Sequence, residues 1–332
     1  MSAHLKLSFV VLSHQRFEHT TGPCVATLQR AVDDPRVELV LVDNGSTDGS
    51  ADHCAAWARE HPAAHYLPMP RDIGYAGGMN MGVSIATGEW VCLVNGSTLF
   101  PPGTLDALLV ALAMAPAKVA MVGPVTNAAG NGQHLALPGA TLQHAFLTGS
   151  AVMRSHTGLF TPSYCTDFFC VAIQRSVWMQ LGGLDTGAGL RHFEDLDFCL
   201  RLRAVGREQA IAEDVFVAHR GATGHSGDGA EEKARLRRNR KLLRERHPHM
   251  RFDHVRDGNE HALRHLLAVA QARGWTPGLR DRAAWRYAAL LWDEDGDPFT
   301  RWHWRWRTRE LRRTLQAEGI EPHFPAAQAG PA

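Results

Sequence analysis

The sequence predicts an α/β protein in which helices flank a mostly parallel sheet. Short apolar runs alternate with segments of helical spacing from the N-terminus onward, and this alternation is typical of strands joined by helical crossovers. The run Val37–Val42 has the composition of a strand buried on both faces, as in a helix-covered parallel sheet. With 332 residues and 45% hydrophobic content, the chain can form one large domain or one domain with an appendage.

The predicted elements follow one another in a regular order. Strands are expected at Leu7–Leu12, Val37–Val42, Trp90–Val94, Val119–Val122, Phe168–Ile173 and Val215–Ala218. Helices are expected at Thr20–Val32, Ala51–Glu60, Gly74–Ala86, from Pro101 to about Met114, at Ser176–Leu181 and from Glu194 onward. Residues 221–230 have the Gly-rich, polar composition of a mobile loop, and a basic helix follows Glu231. We therefore divide the chain into a domain at residues 1–245 and a helical, Trp- and Arg-rich appendage at residues 246–332.

The appendage contains three Trp residues at every second position of residues 301–307, interleaved with Arg301, Arg305 and Arg307. Such a period of two does not give one face of a helix. It fits a strand, or an aromatic and basic surface that contacts a membrane-bound or protein acceptor. The third interpretation, which we favour, is a helical appendage packed over the sheet with its Trp residues buried.

Composition excludes some function classes. The formal net charge of +1 argues against a nucleic-acid-binding protein held by bulk charge. The six cysteines form no CxxC pair and are expected to be buried and reduced, as in a cytoplasmic protein. No signal-peptide pattern opens the sequence, and no apolar run approaches the ~20 residues that span a bilayer. We therefore expect a cytoplasmic protein, with any membrane contact being peripheral, at the inner face.

Two acidic segments are candidate sites. Glu194, Asp195 and Asp197 stand at the start of a predicted helix, where the helix dipole stabilises carboxylates. They can serve as a simple cap, or one of them can act as a general base beside a cleft. Asp43 ends the second predicted strand, at the sheet edge where α/β proteins bind ligands. It is either a ligand of a base or ribose or the first residue of an Asx turn.

A glycine-rich segment, residues 71–82, lacks the GxGxxG spacing of a dinucleotide-binding loop. Its glycines nevertheless allow a close approach of the backbone to a ligand, and Arg71 can meet a phosphate.

The order of these motifs resembles that of the family-2 inverting glycosyltransferases with the GT-A fold, especially the rhamnosyltransferase-like branch. The resemblance covers roughly residues 5–245. The segments that carry it are Asp43-Asn-Gly-Ser-Thr-Asp, Arg71-Asp-Ile-Gly-Tyr-Ala-Gly-Gly-Met-Asn80, Asn95-Gly-Ser-Thr98 with Pro101-Pro102-Gly103, Gly182-Gly-Leu-Asp185, Glu194-Asp195 and His219. It implies a Rossmann-like GT-A sheet and transfer of a sugar from a nucleotide-diphosphate donor.

The resemblance also implies roles for single residues. Asp195 is expected to deprotonate the acceptor, and Glu194 to orient the acceptor or the base. Asp43 is expected to contact the nucleotide base, while Arg71 and Asp72 line its pocket. The residues expected to contact the donor are Ser13, Asp43, Arg71, Asp72, Gly74, Asn80, Asn95 and Ser97. The QxxRW motif of processive synthases is absent after Asp197, which favours single-sugar transfer.

One departure from the family concerns the metal. Relatives carry a DxD-like motif after the strand that corresponds to Trp90–Val94, whereas this chain has Asn95-Gly96-Ser97. Neutral oxygens hold Mg²⁺ or Mn²⁺ less firmly than carboxylates do. Three alternatives follow. The chain binds a metal weakly through Ser97 and His219, or Arg71 and His219 stabilise the leaving group in place of a metal, or catalysis has been lost. His219 and the two turn residues can also be purely structural.

The sequence therefore predicts an inverting, non-processive glycosyltransferase, with a role in cell-surface glycan biosynthesis. The donor is a nucleotide sugar, UDP- or dTDP-linked in the favoured case, and the acceptor is a glycan, a lipid-linked glycan or a protein. The alternative is a catalytically inactive GT-A-fold protein that binds a nucleotide or a partner protein.

Overall fold

The computed structural model describes residues 6–137, 141–187, 192–221, 230–252, 254–292 and 298–323. The strands of these residues are β1 (Leu7–Ser13), β2 (Val37–Asp43), β3 (Ala64–Pro68), β4 (Trp90–Asn95), β5 (Thr98–Leu99), β6 (Val119–Val125), β7 (Phe160–Pro162), β8 (Cys170–Gln174), β9 (Glu208–Phe216) and β10 (Ala218–His219). The helices are α1 (Thr21–Thr27), α2 (Gln29–Val32), α3 (Ser50–Glu60), α4 (Gly74–Ile85), α5 (Thr104–Met114), α6 (Leu142–Met153), α7 (Arg175–Leu181), α8 (Glu194–Ala204), α9 (Ala230–Arg246), α10 (Val255–Arg273), α11 (Pro277–Trp292), α12 (Pro298–Arg307) and α13 (Arg309–Ala317).

Eight strands form one sheet in the order β3-β2-β1-β4-β8-β6-β9-β7, and β5 pairs with β10 in a separate two-stranded ladder. The first four strands of this order are parallel. The strand β8 lies antiparallel between β4 and β6, and β7 is antiparallel at the edge. The predicted α/β fold is thus confirmed. The antiparallel β8 brings the residues that precede it, 167–169, to the edge where β1, β2 and β4 end.

The parallel strands are buried on both faces because their residues alternate between two apolar clusters. Phe9 and Val11 belong to the cluster under α1 and α5, whereas Val10 belongs to the cluster under α4, α7 and α8. Such two-sided burial explains why β1 and β2 are apolar at nearly every position.

The helices after α9 pack together around an apolar cluster of their own, which includes Leu263, Leu290 and Leu311. Within this group, α10 and α11 make the most extensive contact. The appendage is therefore helical, as predicted. Its boundary at residues 245 and 246 stays a prediction, although α9 ends at Arg246.

A buried ionic cluster joins the appendage to the sheet. Glu213 of β9 accepts hydrogen bonds from Arg286 of α11 at 2.8 and 3.1 Å, and from the Thr161 hydroxyl at 2.7 Å. Arg282 lies 3.7 Å from the same carboxylate. The two arginines hold the pKa of Glu213 below its ordinary value against the opposing effect of burial. Because removing one member leaves a buried charge unpaired, the appendage is structurally coupled to the sheet.

The Trp- and Arg-rich segment forms the helix α12, which excludes the strand interpretation. Trp304 is buried in the appendage core. Trp302 and Trp306 are 62% and 63% exposed, so the expectation that the Trp residues are buried is wrong for these two. Among the described residues, no helix combines the length and apolar character needed to cross a membrane. Most of the expected mobile loop, residues 222–229, lies outside the described residues.

All six cysteines are free and buried, as the sequence predicts. Cys92 and Cys170 lie side by side across β4 and β8 with their sulfur atoms 3.7 Å apart, yet they form no disulfide. These thiols are packing residues of the sheet.

Candidate active site

Three predicted site residues end neighbouring parallel strands. Ser13 pairs with Asp43 in the β1–β2 ladder, and Leu12 pairs with Asn95 in the β1–β4 ladder. At a strand spacing of about 4.8 Å, Asp43 and Asn95 stand roughly 10 Å apart along this edge. The carboxyl ends of β1, β2 and β4 thus lie side by side at one edge of the sheet, as expected for a ligand site of an open α/β sheet.

The turn after β2 is held by its own polar side chains. The Asp43 carboxylate accepts a hydrogen bond from the Ser46 hydroxyl at 2.5 Å and one from the Ser46 amide at 3.2 Å. The side chain of Asn44 donates to Asp72 at 2.7 Å, and Asp72 also accepts from the Gly74 amide at 2.8 Å. Asp43 therefore closes its own turn through a residue three positions on, rather than the two of an Asx turn, and its contact with a nucleotide stays a prediction.

The segment after β3 lies against that turn. A side chain on Gly45 would place its Cβ 2.2 Å from the Arg71 backbone, and Gly45 has φ +68°, so only glycine fits there. Arg71 itself is exposed. Gly74, with φ +78°, begins α4. Asn80 bonds the Leu184 backbone through both amide atoms, at 2.8 and 2.9 Å. These bonds give Asn80 a structural role. Its predicted contact with the nucleotide-sugar donor has no geometric support and stays a prediction.

The Asn95-Gly96-Ser97 turn closes on itself. Asn95 Oδ1 accepts hydrogen bonds from the Ser97 amide at 3.0 Å and the Ser97 hydroxyl at 2.9 Å. A Cβ on Gly96 would lie 2.5 Å from the Thr21 hydroxyl, which leaves no room for a larger residue. The turn offers only neutral oxygens, and the described residues contain no group of three His, Cys, Asp or Glu able to hold a metal ion. These donors do not fit a tightly bound Mg²⁺ or Mn²⁺.

His219 lies beside this turn because β10 pairs with β5. Its Nδ1 is 2.9 Å from the carbonyl oxygen of Ala128, and a carbonyl can only accept, so Nδ1 carries the proton. The ring stacks on Phe169 with centroids 4.8 Å apart. Burial lowers the pKa of His219 below its ordinary value. Burial thus favours the neutral imidazole, and a role of His219 in stabilising a leaving group stays a prediction.

Arg220 is a residue that the sequence analysis missed. Its backbone amide donates to the Ser97 carbonyl at 3.2 Å, directly at the neutral turn. Its guanidinium donates to the His19 carbonyl at 2.9 Å. His19 is the last residue of a short 3₁₀ helix, Phe17–His19, that follows β1, so the exposed Arg220 side chain links the residue after β10 to this helix. Its position immediately after His219 was the only signal in the sequence.

The predicted base lies in the first turn of α8, at the same end of the sheet. Burial, followed by the negative charge of Asp167, raises the pKa of Asp195 to about 8. Burial also raises the pKa of Glu194. The Tyr75 hydroxyl donates to the Phe168 carbonyl at 2.8 Å, and the charges of both acids contribute to a raised pKa of Tyr75 after burial. The residues before β8 and the start of α8 therefore lie close together and include two acids of raised pKa.

Asp167 is a second residue that the sequence analysis missed. Its carboxylate accepts hydrogen bonds from the Gly130 amide at 2.9 Å and from the Asn131 side chain at 2.8 Å. Its own amide donates to Gln133 at 2.6 Å. These contacts fix the charge of Asp167 beside Asp195, and an acid just before a predicted strand was the only signal for it.

The other acid of the helix start has a different environment. Asp197 is buried and bonded to Arg201 at 2.7 Å and to His247 at 3.0 Å. Arg201 also donates to the carbonyls of Leu181 and Gly183, at 2.8 and 2.9 Å. Asp197 thus anchors α8 to α9 and, through Arg201, to the chain after α7.

A mostly parallel sheet with polar turns and acids at its carboxyl edge is the architecture of a GT-A glycosyltransferase. Among solved structures, the chain is similar to the mannosyltransferase PcManGT from Pyrobaculum calidifontis in complex with GDP-Man and Mn²⁺, with a TM-score of 0.52, 18% identity and 89% coverage of both chains. It is also similar to GalNAc-T7 with UDP, GalNAc and Mn²⁺, with a TM-score of 0.53 and 13% identity, over 97% of this chain and 56% of that one. At these identities the likeness shows the fold.

Residues 8–167 match the model of the family described as Glycosyl transferase family 2. Over 223 residues, 60% of this chain, the sequence is 29% identical to the uncharacterized protein y4gI of Sinorhizobium fredii, of which the match spans 23%. Over 240 residues it is 25% identical to the N-acetylglucosaminyl-diphospho-decaprenol L-rhamnosyltransferase of Mycobacterium tuberculosis, covering 63% of this chain and 75% of that one. Residues 8–167 thus form a family-2 glycosyltransferase domain.

Proposed function

We propose that the protein is an inverting, non-processive glycosyltransferase that transfers one sugar from a nucleotide-diphosphate donor to a hydroxyl of its acceptor. The observation that carries this proposal is the pair Glu194 and Asp195, held in the first turn of α8 near Asp167. Asp167 lies two residues before Phe169, whose carbonyl accepts a hydrogen bond from the Asn95 amide at 2.8 Å. An inverting displacement needs one carboxylate that removes the proton of the attacking hydroxyl opposite the leaving group. Asp195 fits that task, with Glu194 orienting the acceptor.

In this proposal the donor lies along the carboxyl ends of β1, β2 and β4. The nucleoside is bound near Asp43, Asp72 and Arg71, where two turns are tied together by Asn44. The diphosphate then lies toward Ser97, roughly two strand spacings away. A UDP- or dTDP-linked sugar is the donor class that we propose.

We propose that catalysis depends only weakly on a divalent cation. The titles of two structural neighbours name Mn²⁺, whereas the turn of this chain offers neutral oxygens that already bond one another. Ser97 and His219, the two metal ligands considered from the sequence, supply no negative charge. A cation that binds here would be held chiefly by the donor's own phosphates.

For the acceptor we propose a lipid-linked glycan ahead of a free glycan or a protein, in cell-surface glycan biosynthesis. The name of the Mycobacterium tuberculosis relative specifies a decaprenol-linked acceptor for that protein. Six reduced, buried thiols support a cytoplasmic protein. The exposed Trp302 and Trp306 support a peripheral contact of α12 with the inner face of the membrane.

A thermal-shift panel of nucleotide sugars, with Mn²⁺ and with EDTA, tests the donor and the metal together, because a ligand that binds the folded state raises its melting temperature. NMR of the product then reports whether the anomeric configuration is inverted. Binding of a donor without any transfer or hydrolysis would favour the alternative, an inactive GT-A-fold nucleotide-binding protein. Retention of the anomeric configuration would refute the inverting mechanism.

A further inference from the structure

We infer that the Arg220 guanidinium takes the place of the divalent cation and stabilises the leaving diphosphate. This inference rests on the proposed function, since it assigns the positive charge of the same site. It follows from two features of the described residues: the neutral Asn95–Ser97 turn, and the position of Arg220 at that turn.

The position of Arg220 is fixed by the backbone. The antiparallel pairing of His219 with Thr98 sets Arg220 opposite Ser97, and the Arg220 amide donates to the Ser97 carbonyl at 3.2 Å. The guanidinium reaches the His19 carbonyl at 2.9 Å. The side chain thus passes from one side of the neutral turn to the chain that follows β1.

The chemistry of a guanidinium suits this place. It carries a permanent charge and five N–H donors in a planar fork, which binds two phosphate oxygens at once. One hydrogen bond of the Arg220 guanidinium goes to the His19 carbonyl. The Arg220 side chain is otherwise exposed, so in this inference its remaining N–H groups bind a diphosphate at this edge of the sheet. A charge already held in place stabilises developing negative charge without reorganisation.

Other cations are less well placed. Arg71 follows β3, which is separated from β4 by two intervening strands, so its segment starts about 14 Å from the neutral turn along the sheet edge. Arg71 is therefore suited to the nucleoside end of the donor. His219 is bonded through Nδ1 to Ala128 and packed on Phe169.

The same arrangement explains why Asn95 and Ser97 carry no charge. A carboxylate at position 97, the residue whose carbonyl bonds the Arg220 amide, would attract the guanidinium and pair with it. Such a pair would cancel the charge that the diphosphate needs. A neutral turn and an adjacent arginine are thus one device, equivalent in charge to a metal held by an acid.

The inference is tested by binding of UDP, dTDP and GDP, measured by calorimetry in EDTA and in Mn²⁺, with the parent nucleosides as controls. We expect the wild type to bind its preferred diphosphate equally in both buffers. Arg220→Ala should weaken the diphosphate about 10- to 100-fold, the worth of a charged hydrogen-bonded contact, and leave the nucleoside unchanged. Arg59→Ala, at an exposed arginine on α3, is the matched control and should change neither.

A charge exchange gives the second test. The double variant Arg220→Ala with Ser97→Asp should regain diphosphate affinity only when Mn²⁺ is present. Wild-type affinity in Arg220→Ala would overturn the inference while the proposed function stands. A wild type that binds only with Mn²⁺ would overturn the inference and the weak metal dependence, while the proposed glycosyl transfer stands. A folded wild type that binds none of the three diphosphates would overturn the proposed function and this inference together.

Discussion

Neutralising Asp167 should make the enzyme faster at neutral pH. Asp167 is held by Gly130 and Asn131, and its charge is the second cause, after burial, of the raised pKa of Asp195. A general base works only when it is ionised. In Asp167→Asn the like charge is gone, so the pKa of Asp195 falls, although burial keeps it above the ordinary value.

The magnitude follows from the titration curve. With a pKa of about 8, Asp195 is about one-tenth ionised at pH 7, so kcat/KM of the wild type should rise roughly tenfold between pH 7 and pH 9. If removing Asp167 lowers that pKa by about one unit, the ionised fraction at pH 7 rises to about one half. The variant should then be about fivefold faster at pH 7 and equal to the wild type at pH 9.

The assay is the pH profile of kcat/KM with a saturating donor, measured for the wild type, Asp167→Asn and Asp106→Asn. Asp106 is an exposed acid on α5, so its variant should keep the wild-type profile. Since Asn at position 167 keeps only one acceptor for its two partners, melting temperatures must confirm that the loop is intact. An apparent pKa of kcat/KM in Asp167→Asn that equals or exceeds the wild-type value would refute the electrostatic coupling of Asp167 and Asp195.

Stability gives an independent measure of the same pKa. The unfolded chain releases the Asp195 proton near pH 4, whereas the folded protein keeps it up to about pH 8. The native state therefore loses stability as the pH rises from about 4 to about 8. Asp195→Asn, which cannot ionise, should raise the melting temperature at pH 8 and leave it nearly unchanged at pH 4.

Three further predictions concern the base, the nucleotide pocket and the appendage. Asp195→Asn should keep donor affinity and lower turnover ~10²–10⁴-fold in steady-state kinetics, the usual worth of a positioned base; wild-type turnover would remove the assignment. Asp43→Ala should weaken binding of the nucleoside diphosphate by ~1–3 kcal/mol, measured by calorimetry, while the sugar contributes equally to donor binding in both proteins. Unchanged affinity would exclude Asp43 from the site. Arg286→Ala should lower the free energy of unfolding by about 3–5 kcal/mol, because Glu213 is left buried beside an incomplete partner set, and truncation after residue 254 should be insoluble or less stable. A soluble truncation with the wild-type melting temperature would contradict that coupling.

The sequence was sufficient to locate one edge of the sheet. Apolar runs followed by turn residues predict that Ser13, Asp43 and Asn95 end strands, and parallel pairing then brings them together. The helix start at Glu194 was predictable for a similar reason, since an acidic cluster precedes an apolar pattern.

Contacts between distant segments were not predictable in this way. Asp167 reaches the site only because β8 runs antiparallel, so that the start of this strand meets the ends of its neighbours. Arg220 reaches it through the two-residue ladder β5–β10, which is too short to leave a periodic pattern. Asn80 was predicted to bind the donor, but its amide bonds Leu184, more than a hundred residues away. Local patterns carry no information about such pairings.

The start of α8 combines two aspartates with opposite demands. Asp197 is buried, yet Arg201 and His247 bond its carboxylate and fix the helix to its neighbours. Asp195, two residues earlier, accepts a hydrogen bond from the Leu196 amide and faces the charge of Asp167, so its ionised form is disfavoured. The helix, fixed by Asp197, holds Asp195 in a position that its side chain would leave if it were free to turn toward water. Asp197 thus keeps Asp195 in an environment that disfavours its negative charge. That environment makes Asp195 a strong base for an acceptor hydroxyl once it is ionised.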